Sequence, residues 1–178
     1  MLKGAITAII TPFKNNRIDY SKMEELLEFQ IENNIDGIVV CGTTGESSTL
    51  SEAEKKKLIK FTVDTVQGRV PVIAGTGCND TKKSLAMSKY AEAAGVDYLL
   101  LVSPYYNKTT QSGLIKHYEH IADNTSIPSI LYNVPGRTGL NISAETTIAL
   151  SEHPNILGIK EASRKYPSGN RNNNWGCR

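Results

Sequence analysis

A short apolar run returns along this chain about every thirty residues, the period of one βα unit. Each return is followed by a loop of small residues or proline and then by a helical pattern. The runs are GAITAII from Gly4, GIVVC from Gly37, VPVIAG from Val70, YLLLV from Tyr98, IPSILY from Ile127 and ILGIK from Ile156. A parallel strand needs a crossover, usually a helix, to return the chain to the same end of the sheet. The alternation therefore predicts a parallel α/β sheet with about six βα units in succession.

Helix signals fall in the gaps. Ser21-Lys22-Met23-Glu24 and Ser51-Glu52-Ala53-Glu54 both read as capping boxes, in which the serine oxygen takes an orphan amide and the glutamate takes the serine's own. Met23, Leu26, Leu27 and Ile31 then make one apolar stripe, and Leu58, Ile59, Val63 and Val66 a looser one. Ser112 and Ser143 are placed to cap the helices carrying Leu114, Ile115, Tyr118 and Ile121, and Ile148 and Leu150. Each helix has a face to lay on a sheet.

Two architectures accept this pattern, an open doubly wound sheet and part of a (β/α)8 TIM barrel. A dinucleotide-binding sheet should carry G-x-G-x-x-G after its first strand. Here the first strand runs into Thr11-Pro12-Phe13, and the nearest imitation, Gly75-Thr76-Gly77-Cys78-Asn79-Asp80, follows the third strand and lacks the last glycine. Eight units need roughly 250 residues, so the 178 residues present supply only about six. A barrel built from them alone would be open, with its first and sixth strands as edges.

Composition narrows the partners. At 39% hydrophobic and 21% charged residues the chain fits one globular domain. No apolar run approaches the eighteen or so residues of a membrane span, and no signal peptide is legible, so a cytoplasmic protein is expected. Cys41, Cys78 and Cys177 show no C-x-x-C spacing and read as reduced thiols. The net charge of +2 comes from residues 164–178, which hold four Lys/Arg and no Asp or Glu; the remainder has 16 basic against 18 acidic residues. Nothing there argues for a nucleic-acid or membrane partner.

In a barrel, reactive groups stand at the C-terminal ends of the strands. The second strand ends in Cys41-Gly42-Thr43-Thr44-Gly45-Glu46-Ser47, either a glycine loop capping the next helix or a cradle of amides and hydroxyls for a carboxylate or phosphate. The fourth ends in Ser103-Pro104-Tyr105-Tyr106-Asn107 and the fifth in Tyr132-Asn133-Val134-Pro135-Gly136-Arg137-Thr138. Their phenols serve packing or proton relay, and Arg137 is either solvated or a bidentate carboxylate grip. The sixth ends at Lys160-Glu161-Ala162-Ser163. A lysine there either snorkels or points into the barrel mouth, where desolvation would free a nucleophilic amine. His117 and His120 lie i, i+3 on a helix, but HYEH is not HExxH, so a solvated face is expected and no metal is required. Lys55-Lys56-Lys57 reads as charged outer surface.

The motifs GTTGES from Gly42, SPYYNK from Ser103, YNVPGRT from Tyr132 and GIKEAS from Gly158 occur in order, and across residues 1–163 the chain resembles the dihydrodipicolinate synthase family. These are pyruvate-dependent Schiff-base lyases and synthases, a group that includes N-acetylneuraminate lyase. The resemblance implies a TIM barrel and no cofactor. It makes Lys160 the Schiff-base lysine and Tyr132 the proton relay, with Thr43 and Tyr106 completing a hydrogen-bonded triad. Thr44 would hold the pyruvate carboxylate, and Arg137 the carboxylate of L-aspartate 4-semialdehyde, the second substrate. Tyr106 would reach a neighbouring subunit's site, in a homodimer unit within a tetramer.

Two departures follow. At the family's lysine-inhibition site this chain has Glu52, Lys55 and Lys83, whose cations would repel lysine. After Ser163 the family continues with Gly-Asn and two more βα units, whereas residues 164–178 form an Asn-rich tail of unrelated type. Read one nucleotide later with permitted codons, that tail becomes Gly-Asn-Ile-Gln-Val-Ala-Ile-Glu-Ile-Ile-Thr-Gly-Ala-Ala, so an insertion after Ser163 is inferred. A sister aldolase acting on a sugar acid and a silent fragment stay as alternatives.

Overall fold

The computed structural model describes residues 2–163; the tail, Cys177 and the inferred frame change lie outside the described residues. In chain order the elements are β1 (Ile6–Ala8), β2 (Phe13–Lys14), β3 (Arg17–Ile18), α1 (Tyr20–Glu32), β4 (Gly37–Val40), α2 (Glu52–Val66) and β5 (Val72–Gly75). They continue with α3 (Thr81–Ala94), β6 (Tyr98–Val102), α4 (Gln111–Ala122), β7 (Ser129–Asn133), α5 (Pro135–Thr138), α6 (Ala144–Ser151) and β8 (Ile156–Glu161). All six apolar runs are strands. They form one sheet in the order β1-β4-β5-β6-β7-β8, with every neighbouring pair parallel. The order never reverses, as it must in a doubly wound sheet, so this is part of a TIM barrel with β1 and β8 as its edges.

Alternation along the strands divides the apolar side chains between two layers. Ile38, Val40, Val72, Ala74, Leu99, Leu101 and Leu131 join Met23, Leu27, Leu58, Ile59, Leu114, Tyr118 and Ile121 of the helices in the main core. Val39, Ile73, Leu100 and Tyr132 point the other way and cluster with Val134 on the inner face. The inner layer is thinner. Ala8, Val102 and Ile130 on that side remain half-buried, while Leu99 and Leu101 on the helix side are fully buried.

Local chemistry sets the helix starts. Ser51 makes the expected capping box, its hydroxyl accepting from the Glu54 amide (3.2 Å) while Glu54 Oε2 accepts from the Ser51 amide (2.8 Å). Ser143 also caps as expected, accepting from the Thr146 amide at 3.2 Å. Ser21 does not: α1 begins earlier, capped by Asp19, whose carboxylate accepts from the Lys22 amide at 3.1 Å. Ser112 is likewise inside α4, where Thr110 is the cap and takes the Gly113 amide at 3.2 Å. In both cases a cap two residues upstream extends the helix toward the preceding loop. Helix α3 is capped by Asp80, which takes the amides of Lys82 (2.9 Å) and Lys83 (3.1 Å).

Between β1 and α1, where the sequence pattern predicts only a proline-containing loop, the chain forms the hairpin β2–β3. Asn15 and Asn16 both adopt positive φ (52° and 59°), which suits a two-residue turn closing Lys14 against Arg17. Cys41 also has positive φ (53°) and turns the chain away at the end of β4. Burial pushes its thiol up to about 12, so it stays protonated. Among the described residues no helix is long and apolar enough to cross a membrane.

His117 contradicts the expected solvated face. It is buried on α4, bonded through Nδ1 to Thr81 Oγ1 (2.9 Å), while its Nε2 has no partner among the described residues. Position 117 lies three residues after Leu114 and four before Ile121, both fully buried, so it falls on the buried stripe of α4, on the side that meets α3.

Two tests follow from this packing. A methyl on Gly75 would sit 2.1 Å from the Cys41 carbonyl oxygen, whereas one on Gly136 meets nothing within 4 Å. Gly75→Ala should therefore cost about 1–3 kcal/mol or more and lower the melting point measurably, and Gly136→Ala should leave it within about a degree by calorimetry. Burial, with His120 adding to it, lowers the His117 pKa from 6.5 to about 4. The unfolded chain binds this proton between those values and the folded chain does not. The contribution is complete above about pH 6.5 and lost as pH falls toward 4, by up to about 3 kcal/mol. Denaturant titrations of wild type and His117→Gln should diverge only across that window.

Candidate active site

Residues Tyr132 and Lys160 are direct partners in the β7–β8 ladder, so both side chains rise from the same face at the C-terminal ends of adjacent strands. Tyr132 is 7% exposed and packs in the inner cluster. Lys160 Nζ stands 4.6 Å from the centre of its ring, within cation–π range. The expected desolvation of this lysine is not met among the described residues, where Lys160 is exposed. The physical reason is its strand: among the described residues β8 pairs with β7 on one side only.

The β4 loop separates its glycines from its hydroxyls. Gly42 and Gly45 are buried, with the Gly45 carbonyl accepting from the buried Thr11 hydroxyl at 2.7 Å, while Thr43 and Thr44 are exposed. The Glu46 amide donates to the Thr43 carbonyl at 3.1 Å and closes the turn. The loop is thus held by backbone contacts beneath two outward threonines. After β6, Tyr106 is 91% exposed on a segment where Tyr106 and Lys108 have positive φ. Tyr105 beside it is half-buried, and desolvation raises its phenol above the usual range.

All six candidates therefore stand at one rim, at the ends of β4, β6, β7 and β8. Of these, Tyr132 and Lys160 are in contact. Among the described residues the hydroxyls of Thr43, Tyr106 and Tyr132 make no hydrogen bonds to one another, because the β6 loop carries Tyr106 outward. Arg137 sits on the single-turn α5, exposed and without an ion pair among the described residues. Nor do three His, Cys, Asp or Glu converge as metal ligands among them.

Sequence reasoning assigned no role to Asn133, Glu161 or Asn141. Asn133 is 1% exposed and donates from Nδ2 to Glu161 Oε2 (2.8 Å) and Asn141 Oδ1 (2.9 Å), while its Oδ1 accepts from the Ile142 amide (3.0 Å). For Asn133 and Glu161 the available signal was parity, since each directly follows a candidate on its strand and must face the other way, whereas Asn141 lies outside the strands and carried no such signal. Away from the rim, Glu52 is held below the usual carboxylate range first by its hydrogen bond from Lys56 (2.6 Å), and further by Lys83 and Lys55. The starts of α2 and α3 thus do bring Glu52, Lys55 and Lys83 into one electrostatic neighbourhood.

Comparison with known proteins places this rim in context. Residues 1–174 match the model of the "Dihydrodipicolinate synthetase family". The 4-hydroxy-tetrahydrodipicolinate synthase of Clostridium tetani is 57% identical over 164 residues, 92% of this chain and 56% of that protein. The solved synthase of Methylacidiphilum fumariolicum SolV superposes with a TM-score of 0.91 at 50% identity, covering 93% of this chain and 55% of that one. The chloride-inhibited dihydrodipicolinate synthase of Acinetobacter baumannii, complexed with pyruvate, gives 0.90 at 48%, covering 92% and 56%. The chain thus spans about half the length of the relatives it matches. On the extent of the family match and the identity to these relatives, it belongs to the dihydrodipicolinate synthetase family.

Proposed function

We propose that this chain carries the Schiff-base part of a site that condenses pyruvate with L-aspartate 4-semialdehyde to 4-hydroxy-tetrahydrodipicolinate, the step that leads toward diaminopimelate and lysine. The observation that carries it is the Tyr132–Lys160 pair, an amine 4.6 Å from the ring of a phenol on a registered ladder. The Acinetobacter relative is seen with pyruvate, which supports a keto acid as the first substrate.

Neutral Lys160 attacks the pyruvate ketone, and loss of water leaves an imine on Nζ. Loss of a methyl proton turns the imine into an enamine. Its carbon attacks the aldehyde of the second substrate, and the new alkoxide takes a proton to become the ring hydroxyl. The substrate's own amine then adds to the imine carbon, closes the ring and releases Lys160. Tyr132 suits these transfers because a phenol both donates and accepts. Exposed Thr44 and Arg137 are available for the two substrate carboxylates, a guanidinium offering a bidentate grip.

Exposure of Tyr106 supports its reaching a second copy, in the dimer unit of a tetramer.

Borohydride added with pyruvate should leave a reduced adduct that mass spectrometry locates on Lys160 and that Lys160→Arg abolishes; an adduct on another lysine would reject the assignment. Turnover with the semialdehyde against N-acetylneuraminate separates this reading from a sugar-acid aldolase. Tyr132→Phe and Thr43→Val should each depress kcat by about a hundredfold or more while pyruvate binding stays within about threefold. Arg137→Ala should instead raise KM for the semialdehyde by about tenfold or more. Steady-state kinetics with each substrate varied in turn decide both.

A further inference from the structure

The β7–β8 ladder contains an irregularity just below the Tyr132–Lys160 pair. Ser129 pairs with Ile156, but Ile130 pairs with Gly158, so Leu157 is an extra residue on β8. Above the bulge the pairing resumes as Leu131 with Ile159, Tyr132 with Lys160 and Asn133 with Glu161. Side chains alternate with a period of two, so a further slip of one residue would exchange Lys160 and Glu161 between the faces of the sheet. The pairing above the bulge is therefore what keeps Lys160 on the inner face and Glu161 on the other.

Asn133 and Glu161 provide one on the helix-facing side. The Asn133 amide spends both donors and its acceptor on Glu161, Asn141 and the Ile142 amide, and Glu161 Oε1 accepts from the Ser163 amide at 2.6 Å. The Ala162 amide adds a backbone bond to the Asn133 carbonyl at 2.9 Å. In any other register this buried amide loses its partner on β8, which a nearly water-free position does not replace. Their side chains face away from Lys160 and Tyr132, so any effect on that pair passes through the strands.

We propose that Asn133 and Glu161 are positioning residues, their side-chain hydrogen bond locking β7 and β8 in the register that sets the Lys160 amine beside the Tyr132 ring. The catalytic consequence rests on the Schiff-base reading of Lys160, whereas the register itself does not.

The test uses the full chain with Asn133→Asp, which sets two carboxylates face to face, and Asn133→Asp/Glu161→Gln, which restores a donor–acceptor pair with its direction reversed. Glu161→Ala, at an exposed position, serves should Asn133→Asp not fold. The first readout is NMR of 13C-labelled lysine, with the Lys160 signal identified by its loss in Lys160→Arg. Its ring-current displacement by Tyr132 should be present in wild type, absent in Asn133→Asp and Glu161→Ala, and restored in the double variant. The second readout is borohydride trapping on Lys160, recorded well below each variant's melting point. Its rate at saturating pyruvate should fall about tenfold or more in the single variants, with half-saturation within about twofold, and recover to within about threefold in the double variant. Single variants that melt earlier yet keep both the displaced signal and the wild-type trapping rate would overturn the proposal, as would a wild-type Lys160 signal that is not displaced. A displaced wild-type signal without any adduct would reject the Schiff-base reading instead, and the lysine signal alone would then decide the register.

Discussion

The parallel hydrogen-bond ladder is the constraint on which everything else in this molecule depends. Six strands that never reverse order leave one face of the sheet to the crossover helices and the other to its own inner side chains. Leu99 and Leu101 therefore belong to the helix layer and Leu100 to the inner one, although all three are leucines in one run. The same parity places Tyr132 and Lys160 inside and Asn133 and Glu161 outside. Chemistry and its support are thus interleaved residue by residue along two strands.

The ladder also explains the electrostatics of the rim. Among the described residues β8 has a neighbour on one side only, and Lys160 is exposed there. Groups deeper in the fold are shielded from solvent. Cys41 and His117 are both driven toward their neutral forms by burial, and neither is positioned to act at the rim. Among the described residues five of the six rim candidates are exposed and the sixth, Tyr132, is buried in the inner cluster, while Cys41 and His117 serve packing.

Much of this was legible before any coordinates, for a physical reason. Apolar runs, capping boxes and strand-end motifs are local signals, and the six strands, the Ser51 box and the Ser143 cap depend on little beyond their own segments. Local reading erred where two local solutions competed. Asp19 outcompeted Ser21, and Thr110 outcompeted Ser112, because each upstream oxygen could reach a free amide of a longer helix. It also erred at His117, whose burial depends on where α3 lies, and at Asn15-Asn16, whose positive φ makes a hairpin out of an apparent loop.

By itself the sequence determined the parallel sheet, the order of its units, the helix-facing stripes and the set of residues gathered at the strand ends, since each follows from periodicity or from position along a strand. Only the tertiary structure decided which of those candidates touch. Register is a relation between strands, and it joins Tyr132 to Lys160 and Asn133 to Glu161 across 28 residues of chain in each pair. The loop after β6 carries Tyr106 away from both, and among the described residues the edge position of β8 leaves Lys160 exposed. Contact and solvation depend on neighbours distant in sequence, which no local pattern encodes.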